Sequence, residues 1–251
     1  MAIRKAVIMG GGSGQRLSPL SDYIPKCYLP IYDKPLLIKQ IEWLQMAGVT
    51  DIIMTINDRF CNIFSNIMNT ISVDNMKIDI VIESGTPGIA CALLDLEDKI
   101  DEKQFLFLLG DEYFDNPSFF RAIGQLENCS NILGITSYSD IEQISQGCNL
   151  VLDEEKKQVL KLIEKPRMEE IIDSWCWNGA AVFDKSLIEE IRLIKERTTQ
   201  RTNKILIDAI NERIKQGIVY EYIKDNSNNI NLTNLEDYYK AFTLEYKSRK
   251  R

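Results

Sequence analysis

Histidine is absent from this sequence of 251 residues. Its imidazole is the side chain that ordinarily titrates nearest to neutral pH, so the absence excludes histidine-based catalytic triads, histidine metal sites and a histidine general base.

Basic residues are also scarce, with 30 Lys and Arg against 37 Asp and Glu, which gives a net charge of −7. A protein that binds nucleic acid without sequence preference needs a basic face, so we expect no nucleic-acid partner. Long apolar runs are missing as well. Because a membrane-spanning helix needs about 18 or more consecutive apolar residues, we expect no membrane partner.

Paired cysteine spacing is a third absence, since none of the six cysteines stands in a Cys-x-x-Cys pattern. The beginning of the sequence does not resemble a targeting segment. Together these features predict reduced thiols in a cytoplasmic protein. The hydrophobic fraction of 45% is ordinary for a globular protein, so we expect a packed core.

What the sequence does contain, near its beginning, is a glycine-rich loop. The apolar run 6–9 leads into Gly10-Gly11-Gly12-Ser13-Gly14. Glycine lets the backbone approach a ligand closely and consecutive N–H groups favour anions, so the loop predicts a phosphate site, to which Arg16 and Lys26 add positive charge. The loop matches neither the P-loop nor the dinucleotide fingerprint. A glycine-rich turn with two surface cations is the alternative interpretation.

Alternating apolar patterns along the chain predict an α/β fold. The predicted strands cover residues 6–9, 51–56, 78–82, 105–109, 132–137, 149–151, 159–164, 175–183 and 219–223. The predicted helices cover residues 34–47, 61–70, 89–96, 186–195, 205–216 and 235–247. This order favours a Rossmann-like, doubly wound sheet that is mixed but mostly parallel, with the ligand beyond the carboxyl ends of its strands. We expect a single domain over 1–251, with a nucleotide-binding half (1–115) and an acceptor-binding half (116–251).

The glycine loop also carries a family resemblance. Residues 11–20, Gly-Gly-Ser-Gly-Gln-Arg-Leu-Ser-Pro-Leu, together with Pro25-Lys26, Leu29-Pro30 and Lys34-Pro35, resemble the signature of sugar-1-phosphate nucleotidyltransferases, in particular short glucose-1-phosphate thymidylyltransferases. The resemblance implies a Mg²⁺-dependent enzyme that couples a nucleoside triphosphate to a sugar 1-phosphate and releases pyrophosphate.

The resemblance implies the catalytic residues Arg16, Lys26 and Asp111. Asp111 follows the apolar strand 105–109, which places its carboxylate at the edge of the sheet, and it would hold the metal together with Asn231. The implied nucleotide-binding residues are Gly10, Gly11, Gly12, Ser13, Gly14, Gln15, Arg16, Glu83, Gly88 and Gly110. The implied acceptor-binding residues are Lys26, Gly147, Glu164, Lys165, Gly179 and Arg201.

Glu83 departs from the family, which commonly has Gln there. An ionised Glu can only accept hydrogen bonds, and cytosine and guanine present amino groups to an acceptor, so Glu83 favours CTP or GTP. The competing expectation is a dTTP or UTP enzyme in which Glu83 turns away from the base.

Other departures keep alternatives open. Of the family motif Arg-Gly-Glu-Leu-Glu-Ile-Thr-Asp, only Arg201 and Asp208 remain, and both glutamates are missing. One alternative is therefore a cytidylyltransferase, or another nucleotidyltransferase, that acts on a non-sugar phosphate acceptor. Another is an inactive nucleotide-binding regulatory domain. The partners expected are a nucleoside triphosphate and a phosphorylated small molecule, and a homo-oligomer is possible.

Overall fold

The computed structural model describes residues 3–70, 76–83, 88–127, 130–197 and 204–250. The strands are β1 Lys5–Met9, β2 Pro30–Ile31, β3 Lys34–Pro35, β4 Asp51–Ile56, β5 Lys77–Ile82, β6 Gln104–Leu109, β7 Glu112–Phe114, β8 Asn131–Ser137, β9 Cys148–Asp153, β10 Gln158–Glu164, β11 Trp175–Asp184, β12 Tyr220–Lys224 and β13 Asn229–Asn231. The helices are α1 Leu20–Tyr23, α2 Leu36–Met46, α3 Cys61–Thr70, α4 Ile89–Asp95, α5 Ser118–Gly124, α6 Ile141–Gln146, α7 Ser186–Arg197, α8 Ile205–Lys215 and α9 Leu235–Arg249.

A nine-stranded sheet runs in the order β5-β4-β1-β6-β11-β8-β12-β10-β9. Strands β5, β4, β1 and β6 are parallel, with Val7 opposite Ile53 on one side and Phe107 on the other. Beyond β6 only the pair β8–β12 is parallel, and β11, β10 and β9 run antiparallel to their neighbours.

The sheet is therefore mixed, as predicted, but the expectation of a mostly parallel sheet is wrong for its second half. The turn between β9 and β10 spans only residues 154–157, and so short a connection can join only antiparallel strands. In addition, β9 pairs with β11 at Cys176 and Asn149, which closes β11, β8, β12, β10 and β9 into a ring of five strands.

Helices cover both faces of the sheet because side chains alternate along each strand. Ala6 and Ile8 of β1 belong to an apolar cluster that packs against α2, α3, α5 and α9, whereas Val7 belongs to a second cluster against α4, α7 and α8. Within the described residues, every helix is too short or too polar to cross a bilayer. The five cysteines of this part of the chain are free thiols.

The predicted elements are present, with shifted ends. The helix predicted over 34–47 begins only at Leu36, because Lys34 and Pro35 pair with Pro30 and Ile31 in a two-stranded ribbon. The sequence patterns did not reveal α5 and α6, which have 7 and 6 residues and so span at most two turns.

Candidate active site

A cavity of about 870 Å³ lies where β1, β5 and β6 end, at the carboxyl edge of the parallel half of the sheet. Of the predicted site residues, its lining includes Gly10, Gly11, Gly12, Arg16, Lys26, Glu83, Gly88, Gly110, Asp111, Gly147, Glu164, Lys165, Gly179 and Asn231. Ser13, Gly14 and Gln15 are not part of the lining, and Arg201 lies outside the described residues. The cavity thus brings residues from both predicted halves of the chain together.

The glycine loop leaves β1 and is held by its surroundings. The Gly10 N–H donates to the Thr55 carbonyl at 3.1 Å and to the Thr55 hydroxyl at 3.2 Å. The Ser21 hydroxyl donates to the Gly14 carbonyl at 2.6 Å, and the Arg59 guanidinium donates to the Ser13 carbonyl at 3.4 Å. Ser13 and Gly14 therefore fix the shape of the loop from outside the cavity.

Both predicted cations face the cavity from short 3₁₀ turns, 15–17 and 26–28. The Arg16 side chain is exposed. The Lys26 ammonium forms an ion pair with Asp111 at 3.1 Å, in which the lysine side chain is 15% exposed and the aspartate 27%. Asp111 is thus accessible from the cavity, with a cation beside it.

The turn that presents Asp111 is fixed by α2. Buried Gln40 donates from Nε2 to the carbonyls of Leu109 and Glu112, each at 3.0 Å. The Asp111 carbonyl accepts the Leu232 N–H at 2.8 Å, which ties the turn to the segment after β13. The position of the carboxylate is therefore set by contacts from two distant parts of the chain.

Glu112 is a buried carboxyl group that the sequence reasoning did not assign. Its two oxygens accept from the amides of Asn229 at 2.8 Å and Asn231 at 2.7 Å. Burial and the neighbouring charge of Asp111 raise the pKa of Glu112 to about 8. Gly179, at φ +82°, makes room for it, because a Cβ there would lie 2.6 Å from Glu112 Cγ. The feature of the sequence that could have identified Glu112 was its position directly after Asp111.

Asn231 lies beside Asp111, but its amide nitrogen faces the carboxylate at 3.3 Å. The amide oxygen accepts instead from the Thr233 hydroxyl at 2.7 Å. In this arrangement the amide of Asn231 contacts the Asp111 carboxylate, and the role of Asn231 as a second ligand of the metal stays a prediction. Carboxylate oxygens are the ligands that Mg²⁺ prefers, and Mg²⁺ usually takes only one or two from the protein, so Asp111 fits a magnesium site.

The other end of the cavity holds the predicted acceptor residues. The Lys165 N–H donates to the Gly147 carbonyl at 2.8 Å, and Lys165 has a left-handed backbone with φ +48°. Burial raises the pKa of Glu164 above its ordinary value, while Lys165 and Lys204 act in the opposite direction. The lining also includes the apolar Trp177, Leu206 and Ile207, the thiols Cys148 and Cys176, and the polar Gln143 and Gln146.

Glu83 follows β5 and is half-buried, and its carboxylate lies against the glycine loop. A Cβ on Gly11 would overlap this carboxylate. Burial raises the pKa of Glu83 above its usual value, and a hydrogen bond with the Thr55 side chain acts against that rise. The Glu83 side chain thus lines the cavity, and its role in base recognition stays a prediction.

Comparison with known proteins finds a matching family and several related sequences. Residues 5–247 match the family described as nucleotidyl transferase. The glucose-1-phosphate thymidylyltransferase of Neisseria gonorrhoeae is 25% identical over 191 residues, which are 76% of this chain and 65% of that protein. The mannose-1-phosphate guanyltransferase of Aspergillus oryzae is 28% identical over 202 residues, 79% of this chain and 54% of that protein. The chain therefore spans about two thirds or less of the length of these relatives.

Solved structures share the fold over almost the entire chain. A UDP-glucose pyrophosphorylase in complex with UDP-glucose superposes with a TM-score of 0.83 at 21% identity, and covers 98% of this chain and 99% of its own. The inositol-1-phosphate CTP transferase from T. maritima gives a TM-score of 0.77 at 18% identity, with 98% and 96% coverage. The architecture is thus an α/β nucleotidyltransferase fold.

Proposed function

This chain belongs to the nucleotidyl transferase family, and we propose that it is an enzyme that couples a nucleoside triphosphate to a sugar 1-phosphate, giving a nucleotide-activated sugar and pyrophosphate. The observation that carries the proposal is the single cavity that gathers the glycine loop, Arg16, Lys26 and Asp111 at one end and Glu164-Lys165 at the other. A reaction between two phosphate-bearing substrates needs such a distribution of cations along one cleft.

In the proposed reaction, an oxygen of the sugar phosphate attacks the α-phosphorus of the triphosphate. The bond between the α-phosphorus and the oxygen that bridges to the β-phosphate breaks, and that oxygen leaves with pyrophosphate. The attacking phosphate is already ionised at neutral pH, so no general base is required. Catalysis then depends on positioning and on neutralisation of charge.

Three parts of the chain perform that positioning. The N–H groups of the glycine loop and Arg16 bind the triphosphate and stabilise the charge that develops on the leaving pyrophosphate. Lys26, which lines the cavity beside Asp111, holds the attacking phosphate near the α-phosphate. Asp111 would hold Mg²⁺, with Asn231 in contact with its carboxylate. A bound Mg²⁺ supplies further neutralisation of phosphate charge.

Glu83 supports a base that carries an amino group. Its carboxylate lies at the cavity beside Gly11, and an ionised carboxylate can only accept hydrogen bonds. We therefore propose CTP or GTP as the nucleotide. A dTTP or UTP enzyme, in which Glu83 turns away on nucleotide binding, is the competing proposal.

The acceptor end supports a second candidate function. The family glutamates are missing there, and Leu206 and Ile207 of α8 line the cavity. An acceptor with fewer hydroxyl groups than glucose 1-phosphate, including a non-sugar phosphate, would suit these two apolar side chains.

The test is pyrophosphate release by the purified protein with Mg²⁺, in a panel of CTP, GTP, ATP, UTP and dTTP against glucose 1-phosphate, mannose 1-phosphate and inositol 1-phosphate. We expect turnover with at least one pair, and loss of that turnover in Arg16→Ala. Binding of a triphosphate in a thermal-shift assay, without pyrophosphate from any pair, would favour the inactive regulatory domain.

A further inference from the structure

A second cavity, which we call the side cavity, adjoins the candidate active site. It has a volume of about 540 Å³ and lies between the end of β8, the segment that leads into β13, and α9. Small-molecule sites in proteins have volumes of about 300–1,000 Å³, so the side cavity is large enough for a ligand group. Five residues line both cavities, namely Tyr138, Gln143, Asn229, Ile230 and Lys240.

The inner part of this shared boundary is fixed to the active site. The Tyr138 hydroxyl donates to Asn229 Oδ1 at 2.8 Å, and the Asn229 amide donates to Glu112 Oε2 at 2.8 Å. The outer part consists of Gln143 and Lys240, whose long side chains are exposed. A ligand that occupies both cavities therefore needs only these two exposed side chains to move.

The shared boundary belongs to the acceptor end of the active site. Gln143 lies on α6, and the residue directly after this helix, Gly147, accepts the Lys165 N–H at 2.8 Å. Among the described residues, the lining of the side cavity includes none from the glycine loop at the opposite end. A group that reaches the side cavity is thus part of the acceptor and not of the nucleotide.

Thr136 brings a hydroxyl group to the side cavity. The residue is only 5% exposed, and its hydroxyl has no hydrogen-bond partner within the part of the chain that the structure describes. Because side chains alternate along β8, Thr136 lies on the same face as Ile132, which packs in one cluster with Ala241 of α9. A buried hydroxyl without a partner lowers stability, so a ligand group that bonds to Thr136 is favoured.

The rest of the lining is polar and carries no net charge. Its two charged side chains, Glu236 and Lys240, pair with each other at 2.9 Å, so the side cavity does not favour a second phosphate. Tyr239 adds an aromatic ring that is 67% exposed. Hydroxyl and amide groups, which both donate and accept hydrogen bonds, suit the hydroxyl groups of a sugar, and an aromatic ring suits its apolar face.

We infer that the acceptor is larger than a monosaccharide 1-phosphate and that the side cavity binds its second sugar ring. The inference rests on the proposed function and specifies its substrate class as a disaccharide 1-phosphate. The phosphorylated ring lies with Glu164 and Lys165 in the active site. The second ring passes over the shared boundary, bonds to the Thr136 hydroxyl and packs against Tyr239.

The test compares glucose 1-phosphate and mannose 1-phosphate, each alone and each extended by a second glucose at its 2-, 3-, 4- or 6-hydroxyl. The measurement is kcat/KM from pyrophosphate release with the preferred Mg-triphosphate. We expect kcat/KM to be about tenfold higher for at least one disaccharide 1-phosphate than for its parent, the effect of one or two additional contacts. The ratio of the two kcat/KM values is the disaccharide preference.

Two variants change the side cavity alone. Thr136→Val removes the hydroxyl and keeps the shape, and Tyr239→Ala removes the ring, so each should lower the disaccharide preference about fivefold. Thr136→Ser keeps the hydroxyl and should retain the preference. Because both kcat/KM values come from the same protein, a loss of folded protein cancels in their ratio.

The matched controls remove the same groups away from both cavities. The Thr50 hydroxyl contacts Asp51 at 2.9 Å, and Tyr23 is a 75% exposed tyrosine; neither residue lines either cavity. Thr50→Val and Tyr23→Ala should therefore leave the disaccharide preference unchanged.

The outcomes are distinct. If each parent monosaccharide 1-phosphate is used as efficiently as all its disaccharides, the inference is overturned and the proposed function stands. If a disaccharide is preferred equally by the unmodified protein, Thr136→Val and Tyr239→Ala, its second ring binds elsewhere and the inference is also overturned. If no acceptor yields pyrophosphate, the proposed function fails first, and the inference fails with it.

Discussion

Asp111 and Glu112 are adjacent carboxyl groups in opposite environments. Asp111 faces the cavity and pairs with Lys26, whereas Glu112 is buried and receives two amide donors. The difference follows from the backbone, because Asp111 lies on the turn before β7, whereas Glu112 is the first, buried residue of β7. One carboxylate is thereby available to a ligand, while the other holds Asn231 in place beside it.

Asp111→Asn should abolish Mg²⁺-dependent turnover, because a neutral amide replaces the carboxylate proposed to hold the metal. The measurement is pyrophosphate release over a Mg²⁺ titration. Asp115→Asn is the matched control, since Asp115 lies four residues later on a partly buried bend, where it accepts a hydrogen bond from the Asn228 N–H. An Asp111→Asn protein with an unchanged Mg²⁺ requirement would remove Asp111 from the site.

Arg16→Ala and Lys26→Ala should each lower kcat by roughly 10² to 10³, the usual loss for one group that stabilises developing charge. Steady-state kinetics with saturating triphosphate measures the effect. Arg167→Ala is the control, because Arg167 is a cation with a 72% exposed side chain that pairs with Glu170 away from the cavity. Near-normal turnover in either cavity variant would contradict the phosphate-loop assignment.

The sequence predicted the site residues whose signal is local. The glycines, Arg16 and Lys26 fall within one short stretch, and the cavity contains most of them. Glu112 was not assigned although it directly follows Asp111, because the partners that mark it as part of the site are remote in sequence, and Asn229 is 117 positions away. Contacts of that kind form only when the sheet is complete, and the spacing of residues in the sequence does not indicate them.

At the scale of elements, sequence periodicity predicted where strands and helices lie, but not how the second-half strands pair. Pairing direction depends on connection length and on long-range closure, such as the contact of β9 with β11. The strands of the parallel half are separated by helices, which is why the prediction held there. The start of α2 was misplaced because Lys34 and Pro35 join a ribbon instead of a first helical turn.

The last helix, α9, is fixed to the body of the molecule by a buried charge cluster. Glu245 accepts from Lys39 at 2.7 Å and from the Tyr113 hydroxyl at 2.8 Å, and the side chains of Glu245 and Lys39 are only 10% and 6% exposed. Burial alone would raise the pKa of Glu245, but the hydrogen bonds from Lys39 and Tyr113 outweigh it and hold the pKa below its ordinary value. Because Tyr113 directly follows Glu112 in β7, the charge cluster also fixes the strand that carries Glu112 beside the cavity.

Glu245→Gln should therefore destabilise the protein by about 3 kcal/mol, since Lys39 is left buried without its main partner. That corresponds to a fall in Tm of roughly 6–12 °C for a chain of this size. Thermal unfolding followed by circular dichroism measures it. Glu236→Gln, on an exposed turn of the same helix, loses only a surface pair with Lys240 and should leave Tm unchanged.

The unmodified protein and the Glu245→Gln variant also allow the ionisation of Glu245 to be tested by its pH dependence. A carboxylate whose folded pKa is depressed stabilises the native state above its unfolded pKa, near 4.5, and this stabilisation is lost as pH falls through the folded value. The difference in Tm between the unmodified protein and Glu245→Gln should thus be full at pH 7 and shrink as the pH falls from about 4.5 through the lower folded pKa. A difference that does not change with pH would contradict the ionised state of Glu245.

At the scale of the whole molecule, the central strands belong to both apolar clusters. In β1, Val7 belongs to one and Ile8 to the other, and in β6 Phe107 and Leu108 divide in the same way. Neither cluster can lose its packing without exposing strands that the other needs. The two predicted halves of the chain are therefore expected to unfold as one cooperative domain.

Tryptophan fluorescence can test that expectation, because the three tryptophans report on different clusters. Trp43 lies in the first and packs against Phe114 at 5.4 Å, whereas Trp175 and Trp177 pack against the second. A variant with both Trp175→Phe and Trp177→Phe keeps the first reporter, and Trp43→Phe keeps the other two. In each variant, the denaturant midpoint from fluorescence should equal that from circular dichroism, since coincident probes mark a single transition. A fluorescence midpoint displaced from the circular dichroism midpoint in either variant would show that the two halves unfold separately, and the shared strands would then not couple them.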